Sequence, residues 1–136
     1  MRTALIDTGA IYGMIDRTDK YHAAAQTVGT LWLTEASEFI LLDWIFSETM
    51  TLIKRRLSVA LAVQTGEWLR KSPLYRWVTI TPEDEHEVWA IFQQYADKRW
   101  SYTDCALLVM ARRLNVKQIF SYDVHVVQMP GVKRLG

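Results

Sequence analysis

The chain has 136 residues, 50% hydrophobic and 23% charged, with a formal net charge of +1. That length fits one compact domain, residues 1–136, around one buried core, and the apolar content excludes a disordered chain. Near-neutral charge neither demands nor excludes a nucleic-acid partner, so any attraction for phosphate has to come from a local basic patch.

The first element is a short apolar run, Ala4-Leu5-Ile6, without polar alternation, which reads as a buried strand ending at Asp7. Thr8 and Gly9 start a turn or helix, and Ala10–Ile15 predicts a first short helix, ended by the polar run Asp16–Lys20. From Tyr21 to about Ala36, apolar residues at helical spacing (Ala24, Val28, Leu31, Trp32) predict a second helix. Phe39–Leu42 is a second buried strand, ending at Asp43, which is either a strand-end acid or the N-cap of the next helix. Trp44 to about Leu57 predicts that third helix, closed by Lys54-Arg55-Arg56 as suits a helix C-terminus. On it Trp44, Glu48 and Leu52 share one face. A glutamate on that face either points into water at its edge or has a partner.

Val59–Lys71 predicts a fourth helix, stopped by Ser72-Pro73, and Trp77–Ile80 a third strand. Thr81-Pro82 followed by Glu83, Asp84 and Glu85 is a helix start, with Thr81 as N-cap; these acids and Glu87 are expected to form a solvated face. That fifth helix runs to about Asp97. Ser101–Asp104 opens a sixth helix, Ala106–Leu114, followed by a fourth strand, Gln118–Ser121, after which comes Asp123. The tail from Pro130 reads as a turn and a last short strand. Alternating strands and helices predict an α/β fold: a three-layer α/β/α sandwich around a central, mostly parallel sheet.

Cys105 is the only cysteine, which excludes an internal disulfide and a multi-cysteine zinc site, and His22, His86 and His125 are scattered without metal-ligand spacing. The six tryptophans are expected in the core or a subunit interface. No secretory leader and no membrane-spanning run is read, so the expectation is a soluble cytoplasmic protein without a membrane partner.

Four acids stand at places where ligands are held: Asp7 and Asp123 after strands, Glu48 on a largely apolar helix face, and Asp104 in a helix's first turn. Each has a structural alternative. Ser101-x-x-Asp104 has capping-box spacing, which alone explains both residues. If the four converge, they repel unless a cation neutralises them, and all-oxygen ligation selects magnesium or manganese over zinc. Such a site polarises a phosphodiester and activates water for in-line attack.

The order Leu5-Ile6-Asp7-Thr8-Gly9-Ala10, Ser47-Glu48, Ser101-Tyr102-Thr103-Asp104-Cys105-Ala106, Ser121-Tyr122-Asp123-Val124-His125 and a closing Pro130-Gly131-Val132 resembles the PIN-domain ribonucleases. It is most similar to their toxin branch, the VapC-type partners of toxin–antitoxin pairs. The resemblance covers essentially the whole chain; no single motif is specific, but the ordered set of four is.

The resemblance implies an endoribonuclease in which Asp7, Glu48, Asp104 and Asp123 hold one or two Mg²⁺ or Mn²⁺ ions and Ser101 supports Asp104. It implies an RNA substrate, a small antitoxin partner and a homodimer. Asp19–His22 matches a loop-to-helix start with a structural role. The chain departs from the family pattern at Gly9, where many members carry Ser or Thr, and at Val126, where phenylalanine is common. Lys54, Arg55, Arg56, Arg112 and Arg113 are candidates for RNA-backbone contact, against a plain role in solubility and helix-dipole compensation. Two non-toxin readings stay open: a housekeeping RNA-processing nuclease, and a catalytically silent binding module. A haloacid-dehalogenase-type reading fails because it needs an acid two residues after Asp7, where this chain has Gly9.

Overall fold

The computed structural model describes residues 2–136. Its elements follow one another as β1 (Arg2–Ile6), α1 (Thr8–Ile15), α2 (His22–Thr34), β2 (Ser37–Leu42), α3 (Asp43–Arg56), α4 (Val59–Lys71), β3 (Tyr75–Val78), α5 (Pro82–Gln94), α6 (Tyr102–Arg113), β4 (Gln118–Phe120), α7 (Val124–Val127) and β5 (Lys133–Leu135). The five strands form one sheet in the order β3-β2-β1-β4-β5, and every neighbouring pair is parallel.

That order places the site. The chain builds outward from β1 through β2 to β3, then returns to β1's other side for β4 and β5. Right-handed crossovers then put α1–α4 on one face and α5–α6 on the other, giving three layers. The direction of building reverses between β1 and β4, so their carboxyl ends diverge into a crevice. Asp7 follows β1 and Ser121–Asp123 follow β4, on either side of it.

The core is densest where the sequence is uniformly apolar. Ala4, Leu5, Ile6 and Phe39–Leu42 are fully buried, as strands covered on both faces must be. Phe39 stacks on Trp32 (centroids 4.5 Å apart) and packs against Tyr75 and Phe120, joining α2 to three strands. Helix α6 is buried from Asp104 through Ala111, so its N-terminus is fixed by packing along its length.

Three local readings shift. β3 begins at Tyr75, two residues before the expected start, because Phe39 pairs with Tyr75 and Leu42 with Val78; beyond it, Ile80 N–H donates to Asp43 Oδ1 (3.0 Å). Asp43 lies in the first turn of α3 and ties two strand ends together. Asp84 is not part of a solvated face. It is buried, closes a capping box with Thr81, and meets Arg113 Nε at 2.8 Å. Of the tryptophans, Trp32 and Trp100 are buried, while Trp68, Trp77 and Trp89 are substantially exposed.

Candidate active site

Asp7 is the N-cap of α1, set by β1 against β4: its backbone N–H donates to Phe120 O (2.9 Å). Its carboxylate Oδ1 accepts from Thr8 N–H (2.8 Å) and its Oδ2 from the Ser121 hydroxyl (2.8 Å). The same Ser121 oxygen accepts from Asp123 N–H (3.0 Å). One buried serine after β4 therefore fixes Asp7 and the Asp123 backbone together. Burial raises the Asp7 carboxyl to about 6, against the opposing hydrogen bonds from Ser121 and Thr8; the nearby charges of Asp104 and Asp123 push the same way.

Asp104 is held by the capping box the spacing predicts. Its N–H donates to Ser101 Oγ (3.0 Å) and its Oδ2 accepts from Ser101 N–H (2.9 Å). His125 Nδ1 faces that same Oδ2 at 3.1 Å and Asp123 Oδ1 at 3.4 Å. Asp123 is the N-cap of α7, its Oδ1 accepting from His125 N–H (2.8 Å).

These groups share one hollow of about 470 Å³. Its lining includes the acids Asp7, Asp19, Glu48, Asp104 and Asp123, together with Thr8, Ser101 and His125, and Arg56 and Arg99 as its cations. All four acids singled out in the sequence thus line it, with Glu48 the exposed member. Arg56 joins them, its guanidinium 5.4 Å from the Tyr12 ring centroid. Lys54 and Arg55 are exposed on α3 and do not line the hollow. Arg112 and Arg113 line a separate depression with Asp84 and Glu87, where Arg113 is engaged in its ion pair. The structure adds three residues to which sequence reading gave no role: His125, Ser121 and Arg99. His125 was detectable in principle, since Asp123-x-His125 sets two ligand types two residues apart.

The hollow suits a divalent cation. Its donors are mainly carboxylate oxygens brought close together, and atoms of Asp104, Asp123 and His125 lie within 4.8 Å of one another. Thr8 is one of its lining residues, and the Thr8 hydroxyl is buried without a hydrogen-bond partner. A Cβ built on Gly9 would meet nothing within 4 Å, so a side chain at this position is not sterically excluded. A second hollow of about 500 Å³, beside Met14, Gln26 and Trp68, has no acid in its lining.

A parallel sheet with its reversal at β1/β4, and an acidic hollow at that reversal, is the arrangement of a PIN domain. The PIN-domain family model matches residues 4–131, and the chain belongs to that family. Among curated relatives it is similar to the 23S rRNA-specific endonuclease VapC20 of Mycobacterium tuberculosis, 21% identical over 118 residues that cover 87% of each chain. Among solved structures it resembles M. tuberculosis VapC20, a sarcin–ricin loop cleaving toxin, with a TM-score of 0.79, 20% identity, and coverage of 88% of this chain and 89% of that one. VapBC2 from Rickettsia felis, bound to a promoter DNA fragment, aligns with a TM-score of 0.72 at 6% identity over 98% and 97% of the two chains. FitAcB from Neisseria gonorrhoeae aligns with a TM-score of 0.66 at 14% identity over 98% and 96%. Among the described residues, no helix is long and apolar enough to cross a membrane.

Proposed function

We propose that this chain is a Mg²⁺- or Mn²⁺-dependent endoribonuclease and the toxin of a toxin–antitoxin pair. The observation that carries this is the meeting of Asp7, Glu48, Asp104 and Asp123, from four separate elements, in one hollow at the sheet's reversal. A structural role for each acid alone leaves that convergence, with its mutual repulsion, unexplained. Membership of the PIN-domain family and the similarity to VapC20 support RNA as the substrate, structured ribosomal RNA in the first instance.

Asp7, Glu48, Asp104 and Asp123 would hold the cation, with Glu48 at the hollow's exposed edge. A bound divalent cation supplies Lewis acidity toward the phosphate and lowers the pKa of water. Ser121 orients Asp7, and Ser101 orients Asp104. Arg56 and Arg99 contact the RNA backbone, since they are the cations in the hollow's lining. This chemistry does not use the 2′-hydroxyl, so preference for RNA comes from the shape of the surface.

The resemblance to the VapBC2 and FitAcB structures supports a small antitoxin partner. The exposed Trp68, Trp77 and Trp89 are consistent with buried association surfaces, a homodimer among them. The test is cleavage of a structured-RNA pool by purified, antitoxin-free protein with Mg²⁺, with Mn²⁺ and with EDTA, beside Asp7→Asn and Asp104→Asn. Cutting abolished by EDTA and by both substitutions is expected. Folded protein that cuts with neither metal overturns the nuclease in favour of a binding module.

A further inference from the structure

The four-carboxylate ligand set leaves one side chain at the centre of the site without a role. His125 Nδ1 stands 3.1 Å from Asp104 Oδ2 and 3.4 Å from Asp123 Oδ1. With bonds of about 2.1 Å, adjacent donors on one octahedral cation stand about 3 Å apart, so these spacings match edges of a coordination shell. Without a cation, a proton on Nδ1 makes the 3.1 Å contact a hydrogen bond to Asp104 Oδ2, and Asp123 Oδ1 accepts from His125 N–H (2.8 Å); beside a cation, the same nitrogen offers its lone pair.

We propose that His125 Nδ1 is a ligand to the site's cation, alongside Asp104 and Asp123, and that this nitrogen makes the site selective for Mn²⁺ over Mg²⁺. The inference rests on the metal site proposed above and goes beyond its all-oxygen ligand set. Position supports it: Asp123 caps the turn that carries His125, and Ser121 binds the Asp123 N–H, so oxygen and nitrogen donors are held by one short segment. Chemistry supplies the selectivity. Carboxylates and water serve Mg²⁺ and Mn²⁺ alike, whereas imidazole favours transition-metal ions, and Mg²⁺ retains its waters.

The test is spectroscopic, with MnCl₂ as the probe and no RNA present. Electron spin echo modulation of Mn²⁺ bound to the full chain is expected to show a directly coordinated ¹⁴N. That modulation should change to ¹⁵N on labelling histidine and vanish in both His125→Ala and His125→Gln, with folding checked by circular dichroism. Calorimetry should show Mn²⁺ affinity falling about tenfold or more in these variants, with Mg²⁺ affinity changing less than about twofold. Mn²⁺ that binds, is lost in Asp104→Asn and shows no nitrogen overturns the His125 ligand and leaves the carboxylate site standing. Nitrogen modulation that survives both His125 variants overturns it too. Failure of Mn²⁺ to bind at all overturns both this inference and the metal-dependent function beneath it.

Discussion

The Ser121 hydroxyl donates to Asp7 Oδ2 at 2.8 Å, joining positions 114 residues apart across the β1–β4 boundary. Because its oxygen also accepts from Asp123 N–H, this fully buried serine sets the spacing between two of the site's acids. Ser121→Ala removes a hydrogen bond to a carboxylate and orphans a backbone donor. It is expected to destabilise the protein by about 1–3 kcal/mol. It should also reduce cleavage by about 10–100-fold, as loss of ligand-orienting groups does. Chemical denaturation and single-turnover cleavage check the two effects.

The raised Asp7 carboxyl makes stability depend on pH. The native state binds more protons than the unfolded chain between about pH 4 and 6, so the contribution of Asp7 is favourable below pH 4 and is lost as pH rises through 6. Above that, ionised Asp7 costs the metal-free fold about 3 kcal/mol, for a carboxyl moved from 3.8 to about 6. Asp7→Asn keeps the size but loses one acceptor. It is expected to stabilise the EDTA-treated protein by about 1–2 kcal/mol at pH 8 and by almost nothing at pH 4. Denaturant titrations at the two pH values measure the difference.

Two helices begin with the same device, and only one serves the site. Thr81–Asp84 and Ser101–Asp104 both form complete capping boxes, but Asp84 faces Arg113 whereas Asp104 faces His125 and the hollow. Thr81→Ala and Ser101→Ala should each cost about 1 kcal/mol of stability. Only Ser101→Ala is expected to lower cation affinity, by about tenfold, in parallel calorimetric titrations.

The cations divide by location. Arg56 and Arg99 line the acidic hollow; Arg112 lies in a different depression beside Asp84. With cleavage blocked by Asp104→Asn, Arg56→Ala and Arg99→Ala should each weaken RNA binding and lower its salt slope by about one. Arg112→Ala should do neither. Fluorescence anisotropy at several salt concentrations distinguishes them.

β1 and β2 are legible in the sequence because strands buried on both faces must be continuously apolar, as Ala4–Ile6 and Phe39–Leu42 are. Helix starts are legible where capping chemistry is local, as at Ser101 and Thr81. β3 is placed two residues late because Tyr75-Arg76 interrupts the apolar run, and its register comes from pairing with β2. The burial of Asp84 depends on Arg113, 29 positions further along the chain, which no local pattern reveals. The acids could be named one by one; their convergence needed the crossing order of the strands. Ser121 carried no signal alone, since its partner Asp7 is brought to it by the fold, and for His125 the only local signal was Asp123 two residues earlier.

The most direct measurement is analysis of the ends left by cleavage of an RNA carrying a single 2′-deoxy residue at the cut position. Water attack at an acid-held cation predicts cutting that persists without the 2′-hydroxyl, yields 5′-phosphate and 3′-hydroxyl ends, and stops with EDTA or Asp104→Asn. A 2′,3′-cyclic phosphate product, or cutting that needs the 2′-hydroxyl and ignores EDTA, would contradict a carboxylate-bound metal as the catalyst.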